Sequence, residues 1–254
     1  MHIQPAAAEY QPTRKETHKM KYLVPNTNCS ILSNPSKMPG FAFGLPAHRS
    51  CPRANGSICD SCYASKGFYR MTNVQRTQQA RFDWTRESLK TPAGVTLWIE
   101  TMVTAIRAVT HNHLEKYFRI HDSGDFFNAA YARMWVQVCR QLPDVKFWAP
   151  TRAWQQPTCN MAVDGLKPFR VLGQEDSVMA EILKLATLPN VTIRPSALNF
   201  EDSAPRVAGL HAGSGAAETT FDGFVCPARE QGNNCGDCRH CWHEKAVPVT
   251  YHKH

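Results

Sequence analysis

Residues 116–125 read KYFRIHDSGD. In an extended chain successive side chains point to opposite faces, so Tyr117, Arg119 and His121 share one face and Phe118 and Ile120 the other. The run is short, rich in aromatic and branched residues, and stops at an acidic Ser-Gly turn, which predicts a strand followed by a loop. One of its faces is polar, and a strand buried on both sides needs protein partners for such groups.

Four other stretches have the same character: FAFGL (Phe41 to Leu45), VKFWA (Val145 to Ala149), FRVL (Phe169 to Leu172) and VTIR (Val191 to Arg194). The last four of the five candidates start about 22 to 29 residues apart, the spacing of repeated βα units. Between them, Val95, Trp98, Met102, Ile106 and Val109 recur at helical spacing, as do Tyr131, Met134, Trp135, Val138 and Leu142. Asn128 is placed to cap the second helix and Pro143-Asp144 to end it, and a further helix follows Ser177 with Val178, Ile182 and Leu185 inward. The fold class expected is α/β, a partial or complete (β/α) barrel-like parallel sheet with a Cys-rich C-terminal segment. Residues 1–20 read as a flexible arm and residues 21–208 as the α/β domain. Residues 209–254 read as a linker, GLHAGSGAAETT, and a Cys-rich metal-binding segment packed on the same domain.

A chain of 254 residues can bury a core without covalent staples. No apolar run suits a signal peptide or a membrane span, so a soluble, cytoplasmic protein with no membrane partner is expected. Ten cysteines in a reducing compartment are then poorly explained by disulfides, and the clustered ones point to metal ligation or redox chemistry. The formal charge of +8 favours an anionic partner such as nucleic acid. Lys and Arg are spread along the chain without a block of like charge, however, so a solvated basic surface also accounts for it.

The C-terminal CPAREQGNNCGDCRHCW sets Cys226, Cys235, Cys238 and Cys241 in a C-x8-C-x2-C-x2-C array. Three thiolates at i, i+3 and i+6 can converge on one corner of a cube, and a distant Cys followed by Pro can supply the fourth ligand, as in bacterial ferredoxins. This spacing suits a 4Fe-4S iron–sulfur cluster. Zinc is the alternative metal, although its four-thiolate sites commonly pair two separate C-x2-C knuckles. The first array, CPRANGSICDSCYASKG, holds Cys51, Cys59 and Cys62 as C-x7-C-x2-C. It follows the FAFGL strand and precedes a helix expected to begin near Asn73. That places it in a βα loop at the C-terminal edge of the sheet, where α/β folds put their active sites. Three thiolates leave one metal position open for substrate, solvent or a protein group; His48 or Cys29 would instead close the site. Cys139 and Cys159, and Cys29 unless it closes that site, read as small buried hydrophobes.

Three strand ends carry polar residues. His121, Asp122, Ser123 and Asp125 follow one, Thr151 and Arg152 another, and Arg194 and Ser196 a third. In a parallel sheet they meet on one rim beside the first cysteine loop. His121, Asp122, Ser123, Asp125, Arg152 and Arg194 are the catalytic candidates; Ser123, Asp125, Arg152 and Ser196 are those for holding a cofactor. Arginine suits a carboxylate or phosphate and aspartate an amine or ribose hydroxyl. The plainer account is that Asp-Ser-Gly-Asp is a good turn and Arg152 a surface cation.

Taken together, FGLPAHRSCP, ICDSCYASKG, FRIHDSGDF, FWAPTR, CPARE and CGDCRHCW resemble the bacteriophage gene product 88 family from about Phe41 to His252. The resemblance implies a phage or prophage origin and a host-cytoplasm location, and it supplies no substrate. More distantly, the chain is similar to radical S-adenosylmethionine (SAM) enzymes. In those, three Cys after the first barrel strand hold a four-iron cluster whose open iron binds SAM, and a glycine-containing acidic motif after the second strand contacts its amino group. This likeness implies cluster ligation by Cys51, Cys59 and Cys62, with Tyr63 beside the last. It also implies SAM contacts from Ser123 and Asp125 and an auxiliary cluster in the C-terminal array. The spacing departs from that family's C-x3-C-x2-C.

The resulting expectation is an iron–sulfur protein with one or two clusters, carrying out redox or radical chemistry on an unknown small-molecule or macromolecular substrate. The alternative is a non-catalytic zinc or iron–sulfur module that binds nucleic acid or a host protein through its basic surface. Pure electron transfer is a third.

Overall fold

Alternation along Tyr117–Ile120 becomes a strand with two covered faces. His121 leaves the face expected for it with Tyr117 and Arg119: its backbone turns to φ 66° and its ring packs against Phe126 and Tyr131 on the other side. The computed structural model describes residues 22–52, 54, 59, 62–114, 116–153, 175–196, 224–243 and 249–250. In it β1 (Phe41–Phe43), β2 (Tyr117–Ile120), β3 (Lys146–Thr151) and β4 (Val191–Pro195) form one sheet in the order β1-β2-β3-β4. Every neighbouring pair is parallel, and one lateral row runs Phe41, Phe118, Phe147, Val191. The expected α/β class with a parallel sheet is what the chain adopts. The FRVL stretch, the N-terminal arm, the Gly209 to Thr220 stretch and Cys159 lie outside the described residues.

Parallel strands that are neighbours in chain order each need a crossover, and crossovers of one hand lay their helices on one face, as in a (β/α) barrel segment. The helices are α1 (Thr72–Ser88), α2 (Pro92–Thr110), α3 (Ala129–Gln141) and α4 (Glu175–Ala186). Phe82 of α1, Trp98 and Met102 of α2, Tyr131 and Trp135 of α3, and Ile182 and Leu185 of α4 share one core with Phe43, Phe118, Phe147 and Val191. Trp98 and Trp135 are fully buried and meet edge to face at 5.5 Å. The caps are local. Thr91 accepts from Gly94 N at 3.0 Å with Pro92 opening α2, and Asn128 accepts from Tyr131 N at 2.8 Å as its position predicts.

The opposite face is covered by the C-terminal segment, which carries β5 (Phe224–Val225), α5 (His240–His243) and β6 (Val249–Thr250). Tyr117, Trp148, Cys241, Trp242 and Val249 form a second buried cluster there. The Trp242 ring lies 5.2 Å from Tyr117 and 5.4 Å from Trp148, and its Nε1 donates to the Phe118 carbonyl at 3.3 Å. Thr192 donates to the Trp242 carbonyl at 3.1 Å. The strand's two faces therefore serve two cores, and this fixes the C-terminal cysteines against the sheet. No helix among the described residues is long and apolar enough to cross a membrane.

Candidate functional site

The chain leaving β2 turns back over the end of β1. His121 N donates to Phe43 O at 2.9 Å, and Leu45 N to Ser123 O at 2.9 Å. His121 takes φ 66°, a region non-glycine residues seldom occupy. A Cβ at Gly124 would stand 2.4 Å from Ser50 Oγ, and one at Gly44 would stand 1.9 Å from Asp122 Oδ1. The two glycines admit the acidic loop into contact with the segment that begins the first cysteine loop.

The polar residues of the strand ends meet, and they are buried. Asp125 Oδ1 accepts from Thr151 Oγ1 at 2.6 Å and Phe126 N at 2.7 Å, while Oδ2 accepts from Arg152 N at 2.7 Å. Arg152 Nη1 donates to Ser196 O at 2.8 Å, and Ser196 N donates to Thr151 O at 2.7 Å. Ser123 Oγ donates to Leu45 O at 2.6 Å and accepts from Gln78 Nε2 at 2.7 Å. Arg194 is fully buried and donates to His240 O at 3.2 Å, joining β4 to the C-terminal segment. These residues hold the rim together through their own bonds. His121 Nε2 lies 2.9 Å from the Tyr131 hydroxyl, and burial, aided by the Arg119 cation, lowers its pKa to about 3, so its ring is neutral near pH 7. Burial raises the Asp122 carboxyl above the usual carboxylate range, against the pull of Arg119 and Arg81.

The half-buried thiols Cys51, Cys59 and Cys62 flank this rim. Tight turns fold their loop: Cys51 N donates to His48 O at 3.2 Å, Ala54 N to Cys51 O at 3.0 Å and Cys62 N to Cys59 O at 3.2 Å. Burial pushes the Cys51 thiol up, and the charges of Asp125, Cys62 and Cys59 push it further, which puts the other two thiols within electrostatic reach of Cys51. Mutual repulsion among ionised thiols is what a bound cation reverses. The C-terminal array behaves likewise. Burial raises Cys235, then Cys226 and Cys238 add to it, while Arg119 and Arg239 oppose. Cys238 N donates to Cys235 O at 2.9 Å, Cys235 N donates to Lys37 O at 2.9 Å, and Cys241 is buried on α5 with Cys226 against the same cluster. His48 faces Ser65 Oγ at 2.8 Å, and Cys29 and Cys139 belong to the main core.

Among the described residues no three His, Cys, Asp or Glu side chains converge as the ligands of a single ion do. A zinc ion holds sulfurs at about 2.3 Å, hence about 4 Å from each other. A multi-iron cluster is gripped from outside and needs wider spacing.

Arg119 links the two thiol groups. Its Nη2 donates to the Tyr63 hydroxyl at 2.7 Å, its Nε to His121 O at 2.9 Å, and its guanidinium lies 4.5 Å from the centre of the Trp148 ring. Tyr63, next to Cys62, donates to the Asp122 carbonyl, as does Tyr69 at 3.1 Å. Arg119 and Tyr63 are absent from the candidate catalytic set read from sequence. A charged residue in mid-strand was the available signal for the first. Gln78 and Arg81, which reach the rim from α1, gave none. A cavity of about 390 Å³ lies elsewhere, among Pro39, Phe41, His113, Tyr117 and Arg239, where β1 and β2 begin.

Comparison with known proteins adds sequence likeness. The family model described as Gene product 88 matches residues 9–244. The Gene 88 proteins of Mycobacterium phages D29 and L5 are each 34% identical to this chain over 113 residues, covering 44% of it and 47% of each relative. The match thus spans about half the length of those relatives. No solved structure matches.

Proposed function

The chain belongs to the Gene product 88 family of phage proteins, and on that premise we propose that it is an iron–sulfur protein with two thiol-bound centres, whose first centre carries redox or radical-SAM-like chemistry on an unidentified substrate. The carrying observation is the position of Cys51 beside the C-terminal ends of parallel strands, where burial and then the charges of Asp125, Cys62 and Cys59 raise its thiol pKa. Cys51, Cys59 and Cys62 would hold the first cluster, and Cys226, Cys235, Cys238 and Cys241 the second. When bound, such a cluster supplies a low-potential electron and, with three protein ligands, an open iron position. This chain's own residues then divide the work. Arg119 offsets negative charge at Cys235 of the C-terminal set and anchors the first loop through Tyr63. Asp125, Thr151, Arg152 and Ser196 keep the strand ends in register beneath it. Neutral His121 holds the acidic turn and moves no proton near pH 7.

The test is iron and acid-labile sulfide in protein purified without oxygen, followed by reductant-dependent formation of 5′-deoxyadenosine from SAM. Iron with sulfide, and 5′-deoxyadenosine above a Cys59→Ala control, is the expected result. Cluster without 5′-deoxyadenosine would leave electron transfer and remove the radical chemistry. Stoichiometric zinc in place of iron would remove both, in favour of a structural module.

A further inference from the structure

The positive charge of this chain is unevenly laid down. Its cations are spread, but its acids are not: residues 17–82 hold nine Lys and Arg against one acid, Asp60, whereas the rest of the chain holds twenty of each. The whole formal excess of +8 therefore arises from this one stretch.

The fold gathers part of that charge on a single surface at the mouth of the first cysteine loop. His48 meets Ser65 at 2.8 Å, and Arg49 Nη1 donates to Gln79 Oε1 at 2.7 Å, so the segment before Cys51 is held against both the Tyr63–Ser65 turn and α1. Arg76 lies one helical turn before Gln79, on the same side of α1. The turn Gly67–Arg70 adjoins them, and Lys66, Phe68, Arg70 and Met71 are all exposed there. Among the described residues Arg49, Lys66, Arg70 and Arg76 form no ion pair. The nearest acid along α1, Asp83, accepts from Gln79 Nε2 at 2.8 Å at the far edge of the surface. Met71, the N-cap of α1, offers no side-chain bond to the helix start, so the positive end of the helix adds to the field.

Aromatic faces stand among these cations. Phe68 is 77% exposed and Tyr63 42%, with its hydroxyl turned inward to Arg119 and Asp122. A small anion or an acidic peptide would use the cations and leave the rings in water. A duplex has its base faces already stacked. Unpaired bases on a phosphate chain use both features, since bases stack on exposed rings while Lys and Arg follow the backbone.

We propose that this surface binds single-stranded nucleic acid, with Phe68 and Tyr63 as stacking platforms and Arg49, Lys66, Arg70 and Arg76 on the phosphates. It uses no cysteine, so it stands apart from the metal reading. It also places a nucleic acid strand beside the first thiol loop.

The test is fluorescence anisotropy of the full chain with labelled single-stranded DNA, single-stranded RNA and a duplex of the same sequence, across a salt series. Single strands bind more tightly than duplex, and four phosphate contacts give a log–log salt slope of about −3. Phe68→Ala weakens binding by about tenfold with the slope unchanged. The double variant Lys66→Gln with Arg70→Gln lowers the slope by about 1.4. Both changes are at exposed positions, and unchanged melting shows the fold intact. Absence of binding at about 50 mM salt, duplex bound as well as single strand, or affinity indifferent to both variants would each overturn the proposal.

Discussion

Arg119 and Tyr63, 56 residues apart in sequence, are joined by a hydrogen bond of 2.7 Å from the guanidinium Nη2 to the phenolic oxygen. Arg119 sits in β2 opposite Trp148 of β3, and Tyr63 follows Cys62 directly, so a strand cation fastens the cysteine loop to the sheet. The same hydroxyl donates to the carbonyl of Asp122, which makes Tyr63 a bridge between a half-buried cation and the acidic turn.

Tyr63→Phe keeps the ring and removes that bridge. Arg119 loses one acceptor, but the Asp122 carbonyl retains Tyr69 as a donor at 3.1 Å. The expected loss is therefore the cost of one charge-assisted bond, about 1.5–3 kcal/mol, read as a lower urea midpoint. Arg119→Lys should cost at least as much, because an ammonium cannot reproduce the fork that reaches Tyr63, His121 and Met38 at once. Unchanged midpoints in both would show that the loop is anchored elsewhere.

Asp125→Asn separates a structural role from a ligand role. Both carboxylate oxygens accept bonds, from Thr151, Phe126 and the Arg152 amide. An amide group in that place turns an N–H toward at least one donor, and the loss expected is about 2–4 kcal/mol. The measurement is chemical denaturation of metal-free protein. No change there, with reduced SAM affinity in the loaded protein, would instead make Asp125 a cofactor contact.

The sheet was readable because its strands are short runs rich in aromatic and branched residues, separated by longer amphipathic helices, and length, composition and period together distinguish the two. Asn128 and Pro143 marked the ends of α3 for the same local reason. The rim was readable as far as its membership, since strand ends of a parallel sheet share an edge: Asp125 does meet Thr151 and Arg152. What sequence could not show was that these groups bond one another rather than face outward. Hydrogen-bond partners 26 and 27 residues away depend on the register between strands. Gln78 and Arg81 were hidden for a related reason. A polar residue on a helix reads as solvated until the fold turns that face inward, as it does where Arg81 donates to Ser30 O at 2.9 Å.

The ten cysteines should divide by surroundings. Cys238→Ala removes one member of the C-terminal thiol set, and metal content should fall by that centre while the segment carrying Trp242 loosens from the sheet. Cys139→Ala removes a fully buried thiol of α3 that belongs to the main core. It should retain all metal and lose about 1 kcal/mol for the small cavity. Metal analysis and melting of the two variants side by side check this; equal metal in both would dissolve the C-terminal centre.

His121 gives a pH dependence with a definite sign. Burial, then Arg119, lowers its pKa from 6.5 to about 3, so the folded ring stays neutral where an unfolded one takes up a proton. Its contribution is complete above pH 6.5 and is lost as pH falls toward 3, at about 1.4 kcal/mol per pH unit. Asp122 acts oppositely, since a carboxyl with a raised pKa binds protons more readily in the folded state and gains stability on acidification. A comparison that leaves Asp122 in place isolates the histidine. His121→Asn is suited to it, because asparagine tolerates the left-handed backbone at φ 66° and does not titrate. Urea midpoints between about pH 7 and pH 5 should fall more steeply for the parent than for the variant. Parallel slopes would mean that the folded ring takes up its proton as freely as the unfolded one.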